Sequence, residues 1–380
     1  MKFILAPDSF KESMTAKEVC QAMAKGIKKV IPDADIIQIP MADGGEGTTT
    51  SLVDATNGKY IQKTVTGPLN TSVTATYGIL GNDKTAIIEM AQASGISYLN
   101  QNQKTPTNIL NATTYGTGEL IIDALNHNVD KIIIGLGGSA TNDGGSGMAE
   151  AIGVRFFDKN GQRISNLSGG KLNKITQIDI SQIDPRLKKC QLILASDVTN
   201  PLLGSTGTSY VFGKQKGADE STQKLLDINL AHYAQIIKQV LYKDIASIPG
   251  SGAAGGLGAG FLAFTNSKIC SGVTIVAQET HLKEAIQKAD YVFTGEGGTD
   301  FQTQYGKTPY GVAQIAQKYH VPVISIAGYL GNGIEQLYQY GFTAIFGILD
   351  KASTLEEALQ NGSENVTRTT ENIIRLLLAK

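Results

Sequence analysis

The stretch Met41-Ala42-Asp43-Gly44-Gly45-Glu46-Gly47-Thr48 sets two carboxylates among three glycines, directly behind the apolar run Ile36–Ile39. Glycines let a backbone approach a ligand closely and offer it free N–H groups, and Asp43 and Glu46 are hard oxygen donors of the kind a divalent metal takes. A helix from about Thr48 to Ala55 would aim its positive end at the same place. Metal and helix end together suit a phosphorylated ligand, whereas a single turn of this kind is as easily a solvated surface feature. Asp8, Ser9, Lys11, Glu296, Asp300 and Lys307 also follow apolar runs, where strands would end. Several carboxylates and two lysines in one crevice form the kit for phosphoryl transfer: metal ions bridge phosphates, cations offset developing charge, and a carboxylate orients the attacking hydroxyl.

Other stretches offer rival chemistry. Gly135 to Gly145 is the densest glycine turn and contains Gly137, Gly138, Ser139, Asn142 and Asp143. Its first residues fit GxGxxA after a strand, with Asp158 about twenty residues on, as a dinucleotide-dependent dehydrogenase would have. Gly144, Gly145 and Gly147 between them suit a second loop better than a crossover helix. Gly306-Lys307-Thr308 resembles the end of a Walker A loop, but Phe301 occupies the place of its first glycine. The four histidines show no metal-ligand spacing, and Ser9 lacks the GxSxG context of a hydrolase nucleophile.

Positioning these residues requires parallel strands. Lys2–Pro7 reads as a buried strand, Thr15 and Glu18 as a capping box, and the helix to about Lys29 as one face of Val19, Met23, Ile27 and Val30. From about Tyr60 the alternation of Val65, Val73, Ala75, Tyr77 and Ile79, with turns at Gly67-Pro68 and Gly81–Asp83, predicts antiparallel strands. The βα rhythm returns near Ala289, with strands at 291–294, 322–327 and 344–349. We therefore expect an α/β protein: a Rossmann-like doubly wound parallel-sheet domain from residues 1–61 and 290–380, and an inserted α/β domain of mixed sheet over 62–289. Ligands of open α/β sheets bind at the carboxyl ends of strands, which places these acids and lysines in an interdomain cleft. The glycines and alanines of Pro249–Gly260 suit either tight packing or a binding loop.

Composition limits the partners. The chain has 380 residues, a formal net charge of −1 and 18% charged residues, so it lacks the positive field that grips nucleic acid or an anionic membrane. Three scattered cysteines without CxxC spacing point to a reducing compartment, and no apolar run is long enough to span a bilayer or serve as a signal-peptide core. A cytoplasmic enzyme of small molecules is the expectation, with a homodimer left open.

Taken together, Ala6-Pro7-Asp8-Ser9-Phe10-Lys11, Ala42–Thr48, Gly135–Gly145, Ser196-Asp197-Val198-Thr199-Asn200-Pro201-Leu202, Gly252–Gly258 and Gly295-Glu296-Gly297 with Asp300, Gln302, Gly306 and Lys307 resemble the type I glycerate kinases. The resemblance runs over nearly the whole chain. It implies phosphorylation of D-glycerate by ATP with Mg²⁺, most often at the 2-hydroxyl, giving 2-phosphoglycerate. On that reading Asp43, Glu46 and Glu296 place the metal, Lys11 and Lys307 neutralise phosphate or carboxylate, and Asp197 or Asp300 orients the hydroxyl. Asp8, Ser9, Gly44, Gly45, Gly47, Gly137, Gly138, Ser139, Asn142, Asp143, Gly295, Gly297 and Gln302 contact substrate or nucleotide. Such proteins usually carry Arg after Gly-Glu-Gly, where this chain has Gly298-Thr299. A non-catalytic sensor of a small hydroxy acid is the alternative of a different class, and the retained acids and lysines speak against it.

Overall fold

A computed structural model describes residues 1–379. The protein is α/β and divides into two compact units, Met1–Asn57 with Ser271–Lys380, and Gly58–Cys270.

In the first unit the two chain ends share one sheet. Its order is Ala344–Gly347, Val323–Leu330, Tyr291–Thr299, Lys2–Leu5 and Asp35–Gln38, and every pairing is parallel. Phe3, Ile4 and Leu5 are fully buried, the continuous apolar run expected of a strand covered on both faces. Strand order reverses between Lys2–Leu5 and Tyr291–Thr299, so loops leaving these two neighbours part and open a crevice. The helix Ala16–Lys28 begins at a reciprocal capping box, Thr15 with Glu18, and buries Val19, Met23 and Ile27 as one stripe. Gly26 brings that helix against Gly362–Leu378 so closely that a Cβ would strike Thr370.

One expected loop is a strand. Tyr291–Thr299 continues through Gly295-Glu296-Gly297-Gly298, paired in register until Thr299 meets Leu330. A Cβ on Gly295 would collide with the Ile326 carbonyl, so glycine serves the close approach of backbones here rather than a turn.

The second unit holds a mixed sheet in the order Lys268–Cys270, Gln191–Ala195, Lys131–Gly135, Thr85–Glu89, Ser72–Ile79 and Lys59–Thr66. The first four are parallel and the last two antiparallel. Its core packs the rings of Phe156, Tyr233 and Phe264, with centroids 6.0 to 6.5 Å apart.

The structure sharpens three readings of the sequence. The compact units divide at 57/58 and 270/271, where 61/62 and 289/290 were expected. Lys59–Thr66 pairs along its whole length with Ser72–Ile79, and Gly272 abuts the Asp43 carbonyl while Val273 fills the space beside Gly311. The dinucleotide reading fails as well: Arg155–Phe157, ahead of Asp158, lies antiparallel in a separate three-stranded sheet, so no βαβ crossover joins it to Lys131–Gly135. Finally, the glycine cluster Gly252–Gly260 is packing: helix Ala253–Phe264 starts through left-handed Ala254, Gly255 and Gly256, and a Cβ on Gly255 would strike the Thr141 carbonyl. Among the described residues no helix is long and apolar enough to cross a membrane.

Candidate active site

At the carboxyl ends of the first unit's strands lies a cavity of about 630 Å³. Asp8, Ser9 and Lys11 reach it from behind Lys2–Leu5, and Asp43 from behind Asp35–Gln38. Glu296 and Gly297 enter from the long strand, and Lys307 from the turn before helix Thr308–Gln317. The sheet's reversal therefore gathers residues almost 300 positions apart in sequence.

Asp8 is the best-organised acid. Its backbone N–H donates to the Gly295 carbonyl at 2.8 Å, holding the loop to the neighbouring strand. Its Oδ1 accepts from Ser9 N–H at 2.7 Å and its Oδ2 from the Thr308 hydroxyl at 2.5 Å. Burial raises its pKa to about 6, the Thr308 hydrogen bond opposes this, and the negative charges of Asp43 and Glu296 add to it. Three carboxylates thus sense one another across one crevice, a concentration of negative charge that invites cations.

Glu296 is held on several sides. Its Oε1 accepts from Thr303 at 2.5 Å and Thr299 at 3.2 Å, and Lys307 Nζ stands 3.5 Å from Oε2. Burial raises its pKa, and the hydroxyl of Thr303 and the charge of Lys307 restrain the rise. Asp43 folds its own loop by accepting Gly45 N–H at 3.0 Å, and Gly47, at φ 91°, supplies the left-handed turn before helix Thr48–Thr56. Gly44 shares that conformation at φ 91°.

Other expected residues lie elsewhere. Glu46 is exposed and faces a smaller cavity of about 90 Å³, together with Asp8 and Ser9. Asp300 caps the following turn by accepting Gln302 N–H at 2.8 Å, Gln302 itself is exposed, and neither lines the main cavity. Asp43, Glu46 and Glu296 do not form a ready cage: among the described residues no three His, Cys, Asp or Glu side chains are arranged to hold a metal ion.

Gly137, Gly138, Ser139, Asn142, Asp143 and Asp197 belong to the second unit. Gly137 and Gly138 follow Lys131–Gly135, and Asp197 follows Gln191–Ala195 on an exposed loop, so they too stand at carboxyl ends of adjacent parallel strands. Asp143 is inaccessible. Its oxygens accept from Thr114 N–H at 2.9 Å, Thr114 Oγ1 at 2.7 Å, Gly145 N–H at 3.0 Å and Gly147 N–H at 3.1 Å. Asn142 is equally buried and donates to Ser209 Oγ at 2.9 Å.

Several organising residues escaped the sequence reading. Thr308, Thr299 and Thr303 orient the acids. Lys216, 1% exposed, donates to Ser139 Oγ and to the Thr141 carbonyl, both at 2.7 Å, and burial lowers its pKa to about 7. The flanking Gly213 and Gly217 were the one local signal that this lysine sits in a tight turn.

Residues 3–378 match the model of the glycerate kinase family. The chain belongs to the glycerate kinase family. It is 50% identical to a glycerate kinase of Halalkalibacterium halodurans, covering 97% of this chain and 96% of that protein. It is 48% identical to the glycerate 2-kinase of Escherichia coli K12, over 99% and 98% of the two chains. A crystal structure from Salmonella typhimurium LT2, described as that of a candidate glycerate kinase 2, superposes with a TM-score of 0.90 at 46% identity, covering 99% of this chain and 98% of that one. Membership makes the chain a phosphotransferase, which agrees with a cavity furnished with carboxylates and lysines.

Proposed function

We propose that this chain phosphorylates D-glycerate with ATP at the 2-hydroxyl, giving 2-phosphoglycerate and ADP. The observation that carries the reading is the convergence of Asp8, Asp43, Glu296, Lys11 and Lys307 on one cavity at the sheet's reversal, in a chain 48% identical to a glycerate 2-kinase. Positioning and electrostatics account for most of the catalysis in phosphoryl transfer, so a rigid set of charges is the main requirement. Lys11 and Lys307 offset phosphate charge. Asp8, with a pKa near 6, takes the hydroxyl proton at its carboxylate, and Thr308 fixes the orientation of that group. Asp197 of the second unit is the rival for this task.

Mg²⁺ fits the donors present, since nucleotide-bound Mg²⁺ needs only one or two protein carboxylates. Asp43 would hold it, with Glu296 kept in place behind by its hydroxyls and Lys307; when bound, the ion neutralises charge on the phosphates. Asp300, Gln302 and Glu46 take outer roles.

In this reading the fold is Rossmann-like and doubly wound from both chain ends, with the second unit an inserted domain. Three cysteines without disulfide partners suit a reducing cytoplasm. The test is to incubate the purified chain with ATP, Mg²⁺ and D-glycerate, follow ADP, and couple the product to enolase with and without phosphoglycerate mutase. Signal with enolase alone upholds 2-phosphorylation, and a requirement for mutase would mean the 3-hydroxyl. Absence of ADP would favour the sensor reading. Asp8→Asn and Asp197→Asn, compared in kcat, separate the two candidate bases.

A further inference from the structure

The cavity's two ends differ in chemistry. One carries the acids and lysines; the other is apolar, formed by Tyr329 at the end of its strand and by Ile348, Leu349, Leu355 and Leu359. Tyr329, Leu349 and Leu355 are 57%, 47% and 73% exposed, an unusual concentration of uncovered apolar surface beside a charged site. Tyr329 is the strand partner of Gly298, and its ring lies across that residue: a Cβ there would run into ring carbons Cε1 and Cζ. The absence of a side chain at 298 is therefore what allows the ring to rest at the cavity wall. A three-carbon acid cannot fill this space, whereas about 300–1,000 Å³ is the usual size for larger ligands.

We propose that Tyr329, with Leu349 and Leu355, forms the subsite for the adenine base of ATP, and that Gly298 positions the Tyr329 ring. The inference rests on the kinase reading above. A nucleoside triphosphate is flat and apolar at one end and anionic at the other, and it matches the cavity's polarity end to end. The base stacks on the phenol ring and buries the two leucines, while the phosphates extend toward Lys11 and Lys307. Gly298 touches no ligand in this arrangement; it acts through Tyr329.

The test uses the full chain, with ADP titrated by calorimetry and KM measured separately for ATP and D-glycerate. Tyr329→Ala should weaken ADP and raise KM for ATP about tenfold, the loss typical of one stacked base, while KM for glycerate moves less than twofold. Tyr329→Phe should restore ADP affinity to within twofold, which a purely structural role of the hydroxyl would not allow. Gly298→Ala should displace the ring and reproduce part of the Tyr329→Ala defect. Unchanged ADP affinity in Tyr329→Ala, or an effect confined to glycerate, would overturn the assignment. Tyr329-dependent ADP binding without glycerate turnover would uphold the base subsite and reject the glycerate reading; glycerate turnover with Tyr329-independent ADP binding would do the reverse. No ADP binding by the unaltered chain would reject both.

Discussion

Two loops of this protein look alike in sequence and do opposite things. Asp43-Gly44-Gly45 and Asp143-Gly144-Gly145 each follow a parallel strand, and each aspartate accepts the N–H of the second glycine at 3.0 Å. Asp43 stops there, stays partly exposed and faces the cavity. Asp143 goes on to accept three further donors and is sealed from solvent. The contrast separates an acid available for chemistry from an acid consumed as a scaffold. Hydrogen bonds made elsewhere in the fold decide which is which.

Substitution at the two aspartates should therefore part stability from turnover. Asp143→Ala strands buried N–H groups of Thr114, Gly145 and Gly147, at a cost of about 3–5 kcal/mol. We expect a fall of roughly 10 °C in the melting temperature by calorimetry, given about 2–4 °C per kcal/mol in a domain of this size. Asp43→Ala and Lys11→Ala should instead lower kcat by about 10²–10³, with melting within a few degrees of the unaltered chain. A large melting shift in Asp43→Ala would collapse the distinction between the loops.

Protons sharpen the same comparison. Lys216, beside the scaffold loop, has its pKa lowered to about 7 by burial, with the charge of Asp143 opposing. The unfolded chain then binds more protons between about pH 7 and 10, so stability should rise with pH across that window, by up to about 1 kcal/mol per unit. Lys216→Met should flatten the slope in chemical denaturation; an unchanged slope would show that another group sets it. Asp8 has its pKa raised to about 6, so the stability linked to its neutral form is present below about pH 4 and lost as pH rises through 6. Asp8→Asn should consequently be more stable at pH 8, by about 1–2 kcal/mol once partial solvent screening is allowed for, while losing turnover. Equal stability of the two proteins at pH 8 would argue that the Asp8 carboxylate is well compensated.

Local features were readable before any fold was known. The Thr15–Glu18 box, the stripe of Val19, Met23 and Ile27, and the alternation that became the Lys59–Thr66 and Ser72–Ile79 pair depend on neighbours within a few residues or across one turn. The site's acids were legible as residues behind apolar runs. Their status was not: Asp300 and Asp143 carry the same chemistry as Asp43, and caps or buried donors occupy them. Gly295–Thr299 read as a loop because its partner strand, Val323–Leu330, lies more than twenty residues on. The glycines that imitate a turn there make room for a neighbouring backbone.

The sequence by itself determined an α/β protein, the set of acids and lysines, and membership of a family, because composition, strand runs and ordered motifs are properties of the chain. Tertiary structure alone decided which of those groups can act. The Thr308 hydroxyl reaches Asp8 across 300 positions, Lys307 reaches Glu296, and Tyr329 rests on Gly298 only once the parallel ladder is in register. Burial, which sets the pKa of Asp8, Glu296 and Lys216, is likewise fixed by distant segments closing around a side chain.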